Sequence, residues 1–171
     1  KAISFYLDSS NNNNNKVQFP LKANDIEVLD YYTVDFLNNK TSGFLLGKGF
    51  SLKLEIKNII NKEINLNVRF QIFNEKEVLI TTLNTFHLNK NILIDPESKR
   101  SFECIIKKNQ IVSGSYLIGL QIINLYTRKV LYENNRWDSI EIENGDYYNS
   151  GKLPSKKNKG IFSANFDWLI D

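Results

Sequence analysis

Ser51-Leu52-Lys53-Leu54-Glu55-Ile56-Lys57 alternates polar and apolar side chains without a fault. Successive side chains of an extended backbone point to opposite sides, so a repeat of two marks a strand with one face on a core and the other in water. Leu52, Leu54 and Ile56 face inward on this reading. Asn65-Leu66-Asn67-Val68-Arg69-Phe70-Gln71-Ile72 repeats the pattern. The stretch between them, 58–64, is too short for a helix and its connections, which predicts two antiparallel neighbours joined by a tight link.

Working outward, the same alternation predicts strands at 26–37, 78–87, 101–107, 115–124, 129–133, 138–143 and 160–169. Turn chemistry separates them, as in Asp95-Pro96-Glu97 and Asn144-Gly145-Asp146. No long window carries a 3.6-residue apolar stripe, and Val, Ile, Phe and Tyr dominate the apolar set, as pleated surfaces prefer. Some eight to ten short strands, spaced by about ten residues, predict an all-β fold: an antiparallel β-sandwich, Ig-like or jelly-roll. Ser115 to Asn124 is apolar on both faces and is expected in the middle of a sheet or against a second subunit. Phe70, Phe102, Phe166 and Trp168 are the clearest core aromatics.

The chain has 171 residues, of which 42% are apolar and 24% charged. That suits one globular domain and argues against a disordered chain. Residues 25–171 are expected to form the domain. Residues 1–24 read as a linker or edge strand followed by a mobile Asn-rich loop at 8–16. No run approaches the roughly 18 apolar residues of a spanning helix. A net charge of +3 is far from the positive field that collects phosphates, so nucleic acid is not an expected partner. The single cysteine, Cys104, has no internal disulfide partner and lies in an apolar strand pattern, as a buried structural thiol would. There is no methionine, even at residue 1, which reads as a piece of a longer protein.

Enzyme signatures fail in turn. Gly43-Phe44-Leu45-Leu46-Gly47-Lys48-Gly49 is one residue short of a phosphate loop and lacks its Ser or Thr, so it reads as a turn feeding the strand at 50–57. With one histidine, His87, neither a His-rich zinc site nor a His-Glu-x-x-His helix is available, and no metal site is expected. A Cys104–His87 pair would place both members inside predicted strands, with nothing to activate a thiolate. Asp138, Glu141 and Glu143 could supply paired carboxylates, but Glu141 and Glu143 alternate with Ile140 and Ile142 as the solvated face of a strand does. No catalytic residue is assigned.

Aromatic residues are more suggestive. They form 12% of the chain and several sit beside planar polar groups. Sugar rings stack their C–H patches on aromatic faces while their hydroxyls pair with Asn, Asp, Arg and Gln. Candidate glycan contacts are Trp137, Arg136, Asp138, Tyr126, Tyr31, Tyr147 and His87. Trp137 is the best candidate for an exposed ring, and His87 reads more simply as a strand residue. Burial of Tyr31, Tyr126, Trp137 and Tyr147 together would leave no platform.

The order of features then resembles a known family. A long opening strand at 26–37 leads to a Gly-introduced strand at 49–57, the strand at 65–73, Leu83-Asn84-Thr85 and Gly114-Ser115-Tyr116-Leu117-Ile118-Gly119-Leu120. A turn at Thr127-Arg128-Lys129, Ser139-Ile140-Glu141-Ile142-Glu143 and a Gly160 to Trp168 ending follow. Over about residues 25–171 this resembles the C-terminal domain of the Wzt family, the ATP-binding subunits of ABC transporters that export O-antigen and related polysaccharides. The resemblance implies a sandwich that binds the exported polysaccharide on the cytoplasmic side without catalysis. It also implies a homodimer and contact with the membrane subunit through the full-length protein. It allows exchange of an edge strand, for which 160–169 is the choice, hinged at Lys156-Lys157-Asn158-Lys159. ATP and magnesium would belong to an upstream domain, and no cofactor is expected in this fragment. The segment 8–24 has no counterpart in the family pattern, and no sugar-contact motif carries over by position. The contrasting readings are a structural or assembly sandwich and a polysaccharide-acting enzyme.

Overall fold

The structure is a computed structural model, which describes residues 17–153 and 160–164. Strands β1 (Leu21–Ala23), β2 (Ile26–Asp35), β4 (Phe50–Asn58) and β8 (Lys99–Ile106) form one antiparallel sheet in the order β1-β2-β4-β8. The second contains β3 (Gly43–Leu45), β10 (Lys129–Glu143), β9 (Gly114–Asn124), β5 (Ile64–Asn74) and β6 (Leu79–Asn84) in that order, with β7 (Ile92–Ile94) also paired to β5. The β3–β10 pair is parallel. The all-β sandwich expected from the alternation is what forms.

Its core is the inward half of the alternating strands. Leu52, Leu54 and Ile56 from β4 pack with Leu66, Val68 and Phe70 from β5, and all six are buried. Ile118, Leu120 and Ile122 are buried on β9. This doubly apolar strand lies between β10 and β5, as its composition requires. Residues Val17, Phe19 and Leu21 also pack on the core.

Several expectations are corrected. Strands β4 and β5 are not neighbours: β4 pairs with β2 and β8, while β5 pairs with β6, β7 and β9. Alternation dictates which face is buried but not which strand lies alongside. The link is a crossing between the sheets, fastened by the fully buried Asn58. Its Nδ2 donates to the carbonyls of Lys62 (2.7 Å), Ile94 (3.1 Å) and Asp95 (3.1 Å). Strands expected separately at 129–133 and 138–143 are one strand, β10, interrupted by a bulge. Strand β2 stops at Asp35, whose carboxylate accepts the backbone N–H groups of Leu37 and Asn39.

Strand β6 ends at Asn84, and His87 lies exposed on a 3-10 turn at Phe86–Leu88 instead of in a strand. Side-chain oxygens compete with the ladder there: Asn84 Oδ1 accepts the Phe86 N–H and the Thr85 hydroxyl accepts the Val68 N–H. Phe102 is only half-buried, because β8 is an edge strand among the described residues. Phe166, Trp168 and the Asn-rich loop at 8–16 lie outside the described residues. Of the expected strand at 160–169, the described part makes one bridge, Phe162 to Ile111. The rest, including the hinge at 156–159, also lies outside them.

Candidate functional site

Two edges of the sandwich face each other along one flank. The short β1 covers β2 only as far as Val28, and the next covering contacts come from residues 40 and 41 at Val34 and Thr33. Strand β10 is covered by β3 only from Glu141 to Glu143. Between these points neither edge has a partner strand among the described residues. The flank is closed at one end where Asn24 Nδ2 donates to the Leu131 carbonyl (2.7 Å), and at the other where Glu141 N–H donates to the Ser42 carbonyl (2.8 Å).

A bulge shapes this flank. Asn134 pairs with Leu120 and Asp138 with Ile118, so residues 135–137 all stand opposite Gly119. A Cβ on Gly119 would lie 3.3 Å from the Asn135 Cα and 3.0 Å from the Phe73 ring, so the bare glycine makes room for the bulge. Arg136 N–H donates to Asn134 Oδ1 (2.8 Å) and holds the bend. Bulges re-aim side chains. Here Trp137 turns inward and is 5% exposed. The best candidate for an exposed ring is therefore buried, because the bulge, and not the polar residues beside it in sequence, decides where the ring points.

Trp137 is the floor of a groove of about 540 Å³. Edge-on contacts join it to Phe19 (5.8 Å between ring centroids), Tyr31 (5.4 Å) and Tyr132 (5.4 Å). Tyr32, Lys40, Ser42, Asp138 and Ser139 complete the polar rim. Burial pushes the Tyr31 phenol well above the ordinary tyrosine range, and the neighbouring Asp138 carboxylate adds to the shift. Tyr31 thus remains a proton donor at any physiological pH. The Trp137 indole N–H is shut off from solvent and has no hydrogen-bond partner among the described residues. Such groups are uncommon in folded proteins.

A second depression, of about 510 Å³, lies on the outer face of the first sheet. It is lined by Asp30, Tyr32, Lys53, Glu55, Ser101 and Glu103, the water-facing partners of the alternation. Two of its carboxylates are paired: Lys99 Nζ is 3.1 Å from Glu55 and Lys53 Nζ is 4.0 Å from Glu103. Lys40 and Lys53 stand over the Tyr32 ring at 3.8 Å and 5.9 Å from its centroid.

Of the residues proposed from sequence, the flank groove brings together Tyr31, Trp137 and Asp138. Arg136 points away to an ion pair with Glu77. Tyr126 is exposed on the β9–β10 turn and donates to Glu63 (2.7 Å). Tyr147, expected as a contact, is sealed at 1% exposure, and its oxygen accepts from Gln110 Nε2 (2.9 Å). His87 follows β6, on the far edge of the second sheet. Sequence reasoning missed Phe19, Lys40 and Ser139. Tyr32 carried a signal, since it is the polar-face partner of Tyr31 in an alternating strand.

Cys104 lies on β8 of the first sheet and His87 on the 3-10 turn that follows β6 of the second, and the two form no pair. Burial pushes the Cys104 thiol up to about 11, so little thiolate exists at neutral pH. Labelling with a thiol reagent at pH 7.5 is expected to be at least roughly tenfold slower in the folded protein than in guanidinium. Equal rates would show that the thiol is accessible. Glu141 and Glu143 are exposed while Ile140 and Ile142 are buried, as their alternation predicts. Among the described residues, no three His, Cys, Asp or Glu side chains are grouped to hold a metal ion.

No protein-family model matches the sequence, and no curated protein matches it. Among solved structures, the C-terminal domain of wzt superposes with a TM-score of 0.62 over 82% of this chain and 84% of that one, at 11% identity. The chain has the fold of that domain. The Pseudomonas fluorescens alkylpurine DNA glycosylase AlkC superposes with a TM-score of 0.50 at 9% identity, over 72% of this chain and 31% of that one. The Bacteroides uniformis β-glucuronidase gives 0.46 at 16% identity, over 61% of this chain and 12% of that one. Identities this low concern architecture, which hosts many unrelated functions.

Proposed function

We propose that this sandwich is a non-catalytic glycan-binding domain and that the flank between β2 and β10 is its site. The observation that carries the reading is the groove itself. It places the half-buried rings of Phe19, Tyr31 and Tyr32 beside Lys40, Asp138 and two serines. A saccharide offers C–H faces to such rings and hydroxyls to such a rim. The wzt-like fold supports a role in polysaccharide export by an ABC transporter, with the domain on the cytoplasmic side selecting an O-antigen-like chain. The proposal includes a homodimer and a transporter membrane subunit as partners. One shallow site binds weakly, and pairing two domains raises the effective affinity without new contacts.

The test is calorimetric titration of the isolated domain with the surface polysaccharide of its source organism. Binding is expected, with the polysaccharide chain length unchanged after incubation. Asp138→Ala is expected to weaken it about tenfold, the value of one lost hydrogen bond to a charged group. Absence of binding would refute the reading, and shortening of the chain would favour an enzyme. Exposed Phe86, Leu88, Val78 and Leu79 around the β6 edge favour a second reading, an assembly module. That reading requires association in sedimentation experiments without glycan affinity.

A further inference from the structure

Tyr32 lines both depressions. It stands on β2 beyond the last residue that β1 covers, at the boundary between the outer face of the first sheet and the flank. Each depression falls within the roughly 300–1,000 Å³ that accommodates a drug-sized ligand, more than one sugar ring fills. Lys40 covers the Tyr32 face from a long exposed stem, a lid that a sugar ring displaces without disturbing the fold.

The lining charges are mixed. Asp30, Glu55 and Glu103 border the outer depression, with Lys53 near Glu103 and Lys99 near Glu55, and Asp138 and Lys40 border the flank groove. Among the described residues no arginine lines either one. Recognition of a sugar carboxylate or phosphate favours the bidentate fork of Arg, which neither lining offers, whereas carboxylates beside lysines pair with hydroxyls or an amine.

We infer that the two depressions form one continuous track over the β2 edge, with Tyr32 as its saddle. The track takes several consecutive units of an uncharged or amino-sugar polysaccharide. This inference rests on the glycan-binding reading and adds to it the length and charge class of the ligand. Sugar rings lie on both sides of Tyr32, and discrimination against uronic, sialic or phosphorylated chains follows from a lining without an arginine fork.

The test uses an array of neutral, amino-sugar and acidic bacterial polysaccharides, with oligosaccharides of graded length cut from those that bind. Affinity is expected to climb about tenfold or more between a disaccharide and chains of about four to six units. Acidic polysaccharides are expected to stay unbound. Ser101→Trp fills the outer depression and Ser42→Trp fills the flank groove, both at exposed positions. Each is expected to lower affinity for the long chain about tenfold, with circular dichroism confirming the fold. Tyr32→Ala removes the saddle without added bulk and should do the same. If disaccharides bind as tightly as long chains, or Ser101→Trp and Tyr32→Ala leave binding intact, the track is refuted while glycan binding stands. Preference for acidic chains refutes the charge class. No binding to any glycan refutes the underlying function as well.

Discussion

Trp137→Ala is expected to cost about 3–5 kcal/mol of stability and to lower the melting temperature by roughly 10 °C. The ring is 5% exposed and touches Phe19, Tyr31 and Tyr132 edge-on, so its removal leaves a cavity that three aromatic neighbours cannot all fill. The loss extends further. Residues 135–137 form the bulge opposite Gly119, and the buried side chain of Trp137, one of its members, gives that bulge a fixed conformation. Denaturant unfolding measures the effect, with Trp137→Phe as the graded control that keeps most of the apolar area. A loss below about 1 kcal/mol would show that the flank collapses freely and that the groove has no rigid floor.

Asn58→Ala is expected to cost about 3–4 kcal/mol. The wild-type carboxamide shares its two hydrogens among three carbonyls, those of Lys62, Ile94 and Asp95, and its oxygen accepts the Ile60 N–H (3.1 Å). Each of these backbone groups lies where the crossing from β4 to β5 meets the turn after β7. Alanine would leave several of them without a partner in a place water reaches poorly. Asn58→Asp should be at least as damaging at neutral pH, because a carboxylate faces the same carbonyls with no hydrogens to offer. Unfolding curves for the two variants at pH 7 provide the check, and near-native stability in either would remove the carboxamide from the structural argument.

These two residues also mark where sequence reasoning stopped. The alternation at Ser51 to Lys57 identified a strand and its buried face. The apolar run at 115–124 identified a central one, and β9 occupies that place. Asn58 reads in sequence only as the start of the tight link at 58–64. Its role depends on carbonyls contributed by Ile94 and Asp95, distant in the chain, and no local pattern announces them. Trp137 was singled out for its polar neighbours, yet the bulge sends Arg136 to Glu77 and the indole to the core. Tyr147 likewise sits against Gly47, where an added Cβ would come within 3.0 Å of the tyrosine Cα.

What the sequence determined by itself was the class of fold, because side-chain alternation is a local property of extended backbone and its hydrophobic faces demand a partner layer. Only the tertiary structure decided which strands are neighbours, that β4 and β5 lie in different sheets, and which aromatic rings gather. Those outcomes depend on contacts between residues far apart in the chain and on a bulge whose geometry takes shape only against β9. The groove between β2 and β10 exists because, among the described residues, both edges lose their covering strands along the same flank, a coincidence of register that no single segment encodes.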